Sequence, residues 1–274
     1  MPSHPIRLED TVNFYTFPPI AAALDAAHSA VSAFADFLSP VAGAHATAIA
    51  IILAAVLIRT LLIPVGISTA RADADRRRLA PQLQRLRERY RKNPELLQRK
   101  TMELYSTEKV SPLAGCLPLL VQAPIVSVVY GLFISPEING HPNLLLGAPL
   151  LGAPLGSSLP VFVAAGAWPD ILVVVALLVI IAVVAWLTRW VSMRWQAQAV
   201  AAAPAPSGAT AQPAVPGMPA GTLAFLSWLP FLTVVFAAIV PLAATLYLAV
   251  TTSWSLAERV LLRRRFDARA TPTG

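Results

Sequence analysis

Five apolar runs, each long enough to cross a bilayer as a helix, dictate what this chain can fold into: about Ala44–Ile67, Pro112–Ile134, Asp170–Val191, Leu223–Val240 and Pro241–Leu262. Lipid offers the backbone no hydrogen-bond partner, so each run has to satisfy its own amides as a helix. Composition agrees. With 56% hydrophobic residues, 13% charged residues and a mean hydropathy of +0.64, a soluble domain of 274 residues is excluded and an all-α polytopic membrane protein is expected. Trp168, Trp186, Trp190 and Trp195 bracket the third run as interfacial aromatics do. The last two runs meet at Val240 and Pro241 with almost no loop, and Pro230 is expected to bend the fourth.

Charge fixes the orientation. Twelve of the 21 Lys and Arg residues lie between Arg71 and Lys109 and five between Arg259 and Arg269, while none lies in 135–168. The positive-inside rule then places residues 1–43 and 135–169 outside, and 68–111, 192–222 and the basic tail 263–274 in the cytoplasm. The N-terminal segment does not read as a secretory signal, because Glu9, Asp10, Asp25 and Asp36 interrupt it. Instead Ile20, Leu24, Ala27, Val31, Phe34 and Leu38 recur at steps of three and four opposite Asp25, Ser29, Ser32 and Asp36. That spacing predicts an amphipathic helix over about 19–39, broken by Pro40 and Gly43 and lying along the membrane surface or packed as an ordinary helix.

In 68–111, Leu79, Leu83, Leu86 and Tyr90 form a thin apolar stripe, and Asn93-Pro94 supplies an N-cap and a first-turn proline for a second helix. A helical hairpin results. Twelve basic against six acidic residues leave it at +6, which suits anionic lipid, ribosomal RNA or acidic nascent chains, or equally a solvated face beside a membrane. Arg85, Arg87, Arg89 and Arg91 are the candidate contact residues. Segments 136–160 and 196–220, rich in Gly, Ala and Pro, read as irregular loops.

Arg59 stands alone in the first apolar run. A buried arginine costs roughly 3 kcal/mol on insertion scales, so it either snorkels or faces protein, water or a substrate path. The run's end lies about eight residues away, roughly 12 Å, a difficult reach for its stem. The second run carries Pro112, Pro118 and Pro124 with Gly115 and Gly131, tolerable in lipid only where neighbours or water satisfy the freed carbonyls. Gln122 there, and Thr251 and Thr252 in the fifth run, fall near the depth of Arg59. These groups either line one hydrated pocket or bond singly to their own helices. The four histidines lack metal-ligand spacing, Cys116 is the only cysteine, and Lys92, Lys100 and Lys109 lie in no Gly-rich phosphate loop. No cofactor, metal or covalent chemistry is expected.

Three stretches resemble the YidC-type membrane protein insertases, relatives of the Oxa and Albino proteins, in their five-span form. They are Leu57-Ile58-Arg59-Thr60-Leu61-Leu62-Ile63-Pro64, the hairpin Leu79-Ala80-Pro81-Gln82-Leu83 through Asn93-Pro94-Glu95, and Pro112 through Ile125. The likeness covers about residues 20–262. It implies five transmembrane helices around a hydrophilic groove open to cytoplasm and lipid, with Arg59 as its charge and Gln122, Tyr247, Thr251 and Thr252 along it. Tyr247 matches a family tyrosine, whereas Leu248 stands where tryptophan is common and Thr251-Thr252-Ser253 replaces an amide-bearing stretch. The resemblance further implies a bacterial plasma membrane insertase and folding helper acting without ATP. Its partners would be nascent membrane proteins, with the ribosome, the Sec translocon and anionic lipids as further candidates. A small anion transporter or channel using Arg59 is the alternative, though the five unequal runs show no paired repeats.

Overall fold

The computed structural model describes residues 18–111, 117–138, 140–201 and 227–270, without the side chains of 117–122, 199–201 and 267–270. Pro112, Gly115 and Cys116, the side chains of Pro118 and Gln122, and most of the loop 196–220 therefore lie outside the described residues. The helices are α1 (Pro18–Ala42), α2 (Ala46–Leu61), α3 (Ile63–Arg89), α4 (Pro94–Thr107), α5 (Leu117–Ile134), α6 (Leu159–Ala165), α7 (Trp168–Ala201), α8 (Leu229–Ile239) and α9 (Leu242–Ala270). Among the described residues, two helical stretches, Pro18–Leu61 and Trp168–Gln198, are long and apolar enough to cross a membrane, with mean hydropathies of 2.3 and 3.2. Val175, Val179, Ile180 and Val183 of α7 are exposed, as a lipid-facing helix requires and a soluble core helix does not.

The chain divides into two compact units. One comprises 1–55, 122–177 and 237–248; the other comprises 56–121, 178–236 and 249–274. In the first unit, α1 buries Leu24, Val31 and Ala35 and exposes Asp25, Ser29 and Asp36, so the packed face follows the expected stripe at Leu24 and Val31 but then runs through Ala35, leaving Phe34 exposed. Pro40 does not end this helix. Near a C-terminus its missing N–H removes a single bond, and the break comes at Gly43, whose φ of +53° opens a three-residue 3-10 turn before α2.

The segment after α5, expected to be irregular, holds two small hairpins: β1 (Glu137–Ile138) with β2 (His141–Pro142), and β3 (Pro149–Leu150) with β4 (Ala153–Pro154). Both are antiparallel, in register Ile138↔His141 and Leu150↔Ala153. Leu151 and Gly152 turn the second at φ +53° and +97°, the pair of positive angles that a two-residue hairpin favours. Proline-rich two-residue strands leave no alternation to read. Asn143 fixes this segment to α5. Its buried Nδ2 donates to the carbonyls of Leu132, at 2.6 Å, and Ser135, at 3.0 Å, which the helix end leaves unpaired.

The junction of α8 and α9 is held in the same unit. Two residues separate the helices, and the wholly buried Thr245 donates its hydroxyl to the Ala237 carbonyl across them at 2.8 Å. The first N–H groups of α9, Leu242 and Ala243, donate to the carbonyls of Ser157 and Leu155, both at 2.9 Å. Pro230 takes the second position of α8, where no N–H is needed, and so lies in its first turn instead of bending its middle.

In the second unit, α3 and α4 form the expected hairpin. Leu79 and Leu83 are buried beneath it. Asn93 caps α4 by accepting from the Leu96 N–H at 3.1 Å, with Pro94 at the first position. Arg78 and Glu108 close a salt bridge of 3.0 Å across the two helices, worth about 0–1 kcal/mol at such exposure. The Lys100 ammonium, 2.7 Å from Glu103, holds that carboxyl below its ordinary range. Where α7 ends, cations sit on aromatic faces: Arg189 lies 4.1 Å from the Trp228 ring centre, Arg194 3.8 Å from that of Trp190 and Arg263 4.1 Å from that of Trp195.

Candidate functional site

Arg59 comes near the end of α2 because the following sequence disturbs the helix. Pro64 has no N–H and its ring crowds the carbonyl one turn back, so α2 stops at Leu61 and α3 begins at Ile63. The chain nevertheless stays helical through the joint, with Leu62 N–H on the Ile58 carbonyl at 3.0 Å and Gly66 N–H on that of Leu62 at 3.1 Å. Thr60 turns its hydroxyl back onto Val56 at 2.8 Å, leaving Arg59 as the polar group of this turn that is not consumed by its own helix.

Beyond the joint, Gly66, Thr69, Asp73 and Arg77 follow one another at helical spacing along one face of α3. On α9, Ser255, Glu258, Arg259 and Arg263 do the same. These two faces, with Ser192 and Trp195 of α7, enclose a cavity of about 560 Å³. Its walls carry both signs of charge, Asp73 and Glu258 against Arg77, Arg259 and Arg263. Glu258 is half-buried and lies within the electrostatic reach of Arg59. Its Oε1 occupies the place that a Cβ on residue 66 would fill, so glycine there is what admits the carboxylate. The buried indole Nε1 of Trp254 faces the Glu258 carboxylate.

The expected site residues divide accordingly. Arg59, Thr251 and Thr252 belong to the second unit, and Tyr247 and Gln122 to the first. Thr251 is buried. Thr252 donates to the Ala249 carbonyl of its own helix at 3.3 Å, and Ser253 does likewise at 2.7 Å. Tyr247 is buried against Phe133, ring centres 6.3 Å apart. On the hairpin Arg85, Arg89 and Arg91 are exposed, Arg87 is half-buried, and Arg89 lies 5.7 Å from the Tyr90 ring centre. Sequence reasoning missed Glu258 and Asp73. The signal available was the single carboxylate inside the fifth apolar run.

A long bare apolar helix, an arginine in another and a charged hairpin define an α-helical membrane protein. The profile described as 60Kd inner membrane protein matches residues 37–269, and the chain belongs to that family, the YidC/Oxa/Albino group. Among its relatives, the "Membrane protein insertase YidC" of Methylobacillus flagellatus is 40% identical over 102 residues, 37% of this chain and 18% of that protein. The protein of the same name from Laribacter hongkongensis is 40% identical over 97 residues, and that from Geobacter sulfurreducens 40% over 98, each covering 35% of this chain and 18% of the relative. The matched stretch is thus less than a fifth of the length of these relatives.

Proposed function

We propose that this protein is a membrane protein insertase and folding helper for small or single-span membrane proteins, working without ATP. The observation that carries this reading is Arg59, a guanidinium in an apolar helix that leads into a cavity of mixed charge, in a chain whose relatives are named insertases. Five spans surround a hydrophilic groove open to the cytoplasm, and Arg59 is its positive charge. Gln122, Tyr247, Thr251 and Thr252 are assigned to the same groove on the sequence alone. A short acidic outer segment of the substrate enters it, where attraction to Arg59 exceeds that in bulk water because the surroundings polarise less. Its apolar helix then moves into lipid, and burial of about twenty apolar residues drives the step without covalent chemistry. Nascent membrane proteins are the substrates, and the ribosome, the Sec translocon and anionic lipids are partners. Purified protein in liposomes is the direct test: insertion of a small single-span, acidic-tailed protein is expected, and anion flux without insertion would overturn the reading in favour of a channel.

The proposed orientation puts the hairpin in the cytoplasm and the segment with Asn143 outside. With Cys116 replaced by serine, Leu144→Cys should react with an impermeant thiol reagent in intact cells, since residue 144 is 79% exposed. Gln98→Cys on exposed α4 should react only after the membrane is opened. Equal labelling of both in intact cells would overturn the orientation.

The hairpin's role rests on its net charge of +6 and on how little of it is packed. Charge reversal at Arg85, Arg87, Arg89 and Arg91 should weaken sedimentation with ribosomes or anionic vesicles at low salt, with the difference vanishing as salt rises, because exposed charges are screened within about 10 Å at 0.1 M. Unchanged sedimentation at low salt would reduce this surface to solvated charge.

A further inference from the structure

Glu258 is a carboxylate inside an apolar run, and Arg59 is a guanidinium inside another. Either charge alone in such surroundings is costly. Three observations bring them into one arrangement. The field of Arg59 acts on Glu258. Gly66, seven residues or about two turns beyond Arg59 and so on the same helical face, leaves the space that the Glu258 carboxylate fills. Arg259 and Arg263 on α9 and Arg77 on α3 line the cavity that this carboxylate also faces.

We propose that Glu258 is a resident counter-charge for Arg59, which an acidic substrate segment has to displace. The inference rests on the insertase reading and deepens it by naming a residue that sets how acidic a segment must be to gain from Arg59. At rest Glu258 offsets the guanidinium, so no lone charge is stranded against lipid. When a substrate carboxylate arrives, two negative groups compete for one positive group. The flexible Glu258 side chain then swings from Gly66 toward Arg77, Arg259 and Arg263. One partner is exchanged for another, and the net cost of admitting the substrate stays small. A neutral segment has nothing to exchange and leaves the resident pair in place.

The test compares insertion of matched substrates whose outer segments carry one acidic residue or none, at equal insertase levels. Glu258→Gln should raise the acidic-to-neutral insertion ratio about threefold, the size expected of one partly screened charge pair. Gly66→Ala, which pushes the carboxylate aside without removing it, should shift the ratio in the same direction by less. In an Arg59→Ala background, Glu258→Gln should leave the ratio unmoved, since the group it neutralises is gone. If Glu258→Gln lowers protein level, Gly66→Ala decides alone. An unchanged ratio in both variants, with Arg59→Ala still lowering it, would overturn the counter-charge and leave the insertase reading standing. An unchanged ratio in Arg59→Ala itself would overturn the groove mechanism instead.

Discussion

Arg59→Ala is expected to lose insertion of substrates with acidic outer segments by about tenfold or more, because a hydrogen bond to a charged group contributes about 1.5–3 kcal/mol. Substrates with neutral outer segments should be affected far less. Arg59→Lys should retain much of the activity, since the ammonium keeps the charge while losing the planar fork. Protein level should hold in both variants, because Glu258, left without the guanidinium, still faces Arg77, Arg259 and Arg263 in the cavity. The measurement is protease protection of acidic and neutral versions of one substrate at matched insertase levels. Equal insertion of both by Arg59→Ala would remove the basis for an electrostatic groove.

The second large effect is on stability. Asn143→Ala should destabilise the fold by about 2 kcal/mol, the loss of hydrogen bonds to two carbonyls that burial then leaves unsatisfied. The amide is held by its nitrogen alone, since its Oδ1 is buried without a partner, and that nitrogen is shared between the Leu132 and Ser135 carbonyls. Asn143→Asp should be worse than alanine, because it presents a carboxylate to two carbonyl oxygens. The exposed neighbour substitution Leu144→Ala should leave the thermal midpoint in detergent unchanged. If Asn143→Asp matches the parent, this contact does not hold the segment.

Locally determined features were legible in the sequence. The α1 stripe, the Asn93 cap and the hairpin follow from spacing and from residues within one or two turns of each other, so the chain states them directly. Prolines were legible as punctuation but not as outcomes. Pro40 is absorbed near the end of α1, and Pro230 starts a helix that it was expected to bend. The hairpins after α5 escaped because two-residue strands with proline carry no period. The site was read in part. Arg59 announces itself by its surroundings, whereas Glu258 acquires meaning only from Arg59 and Gly66 on two helices distant in sequence, a pairing that no local pattern contains.

The bonds from Leu242 and Ala243 to Ser157 and Leu155 bear on the order in which the chain is made. During synthesis the carbonyl side of this joint leaves the ribosome long before the amide side, as N-terminal parts precede C-terminal ones. The segment after α5 is therefore a socket that waits for its plug. Until α9 docks, those carbonyls and its first amides must be satisfied by water or headgroups. Docking α9 releases both sets at once, so α9 is also the latch of the first unit, which stays incomplete until that helix has been made.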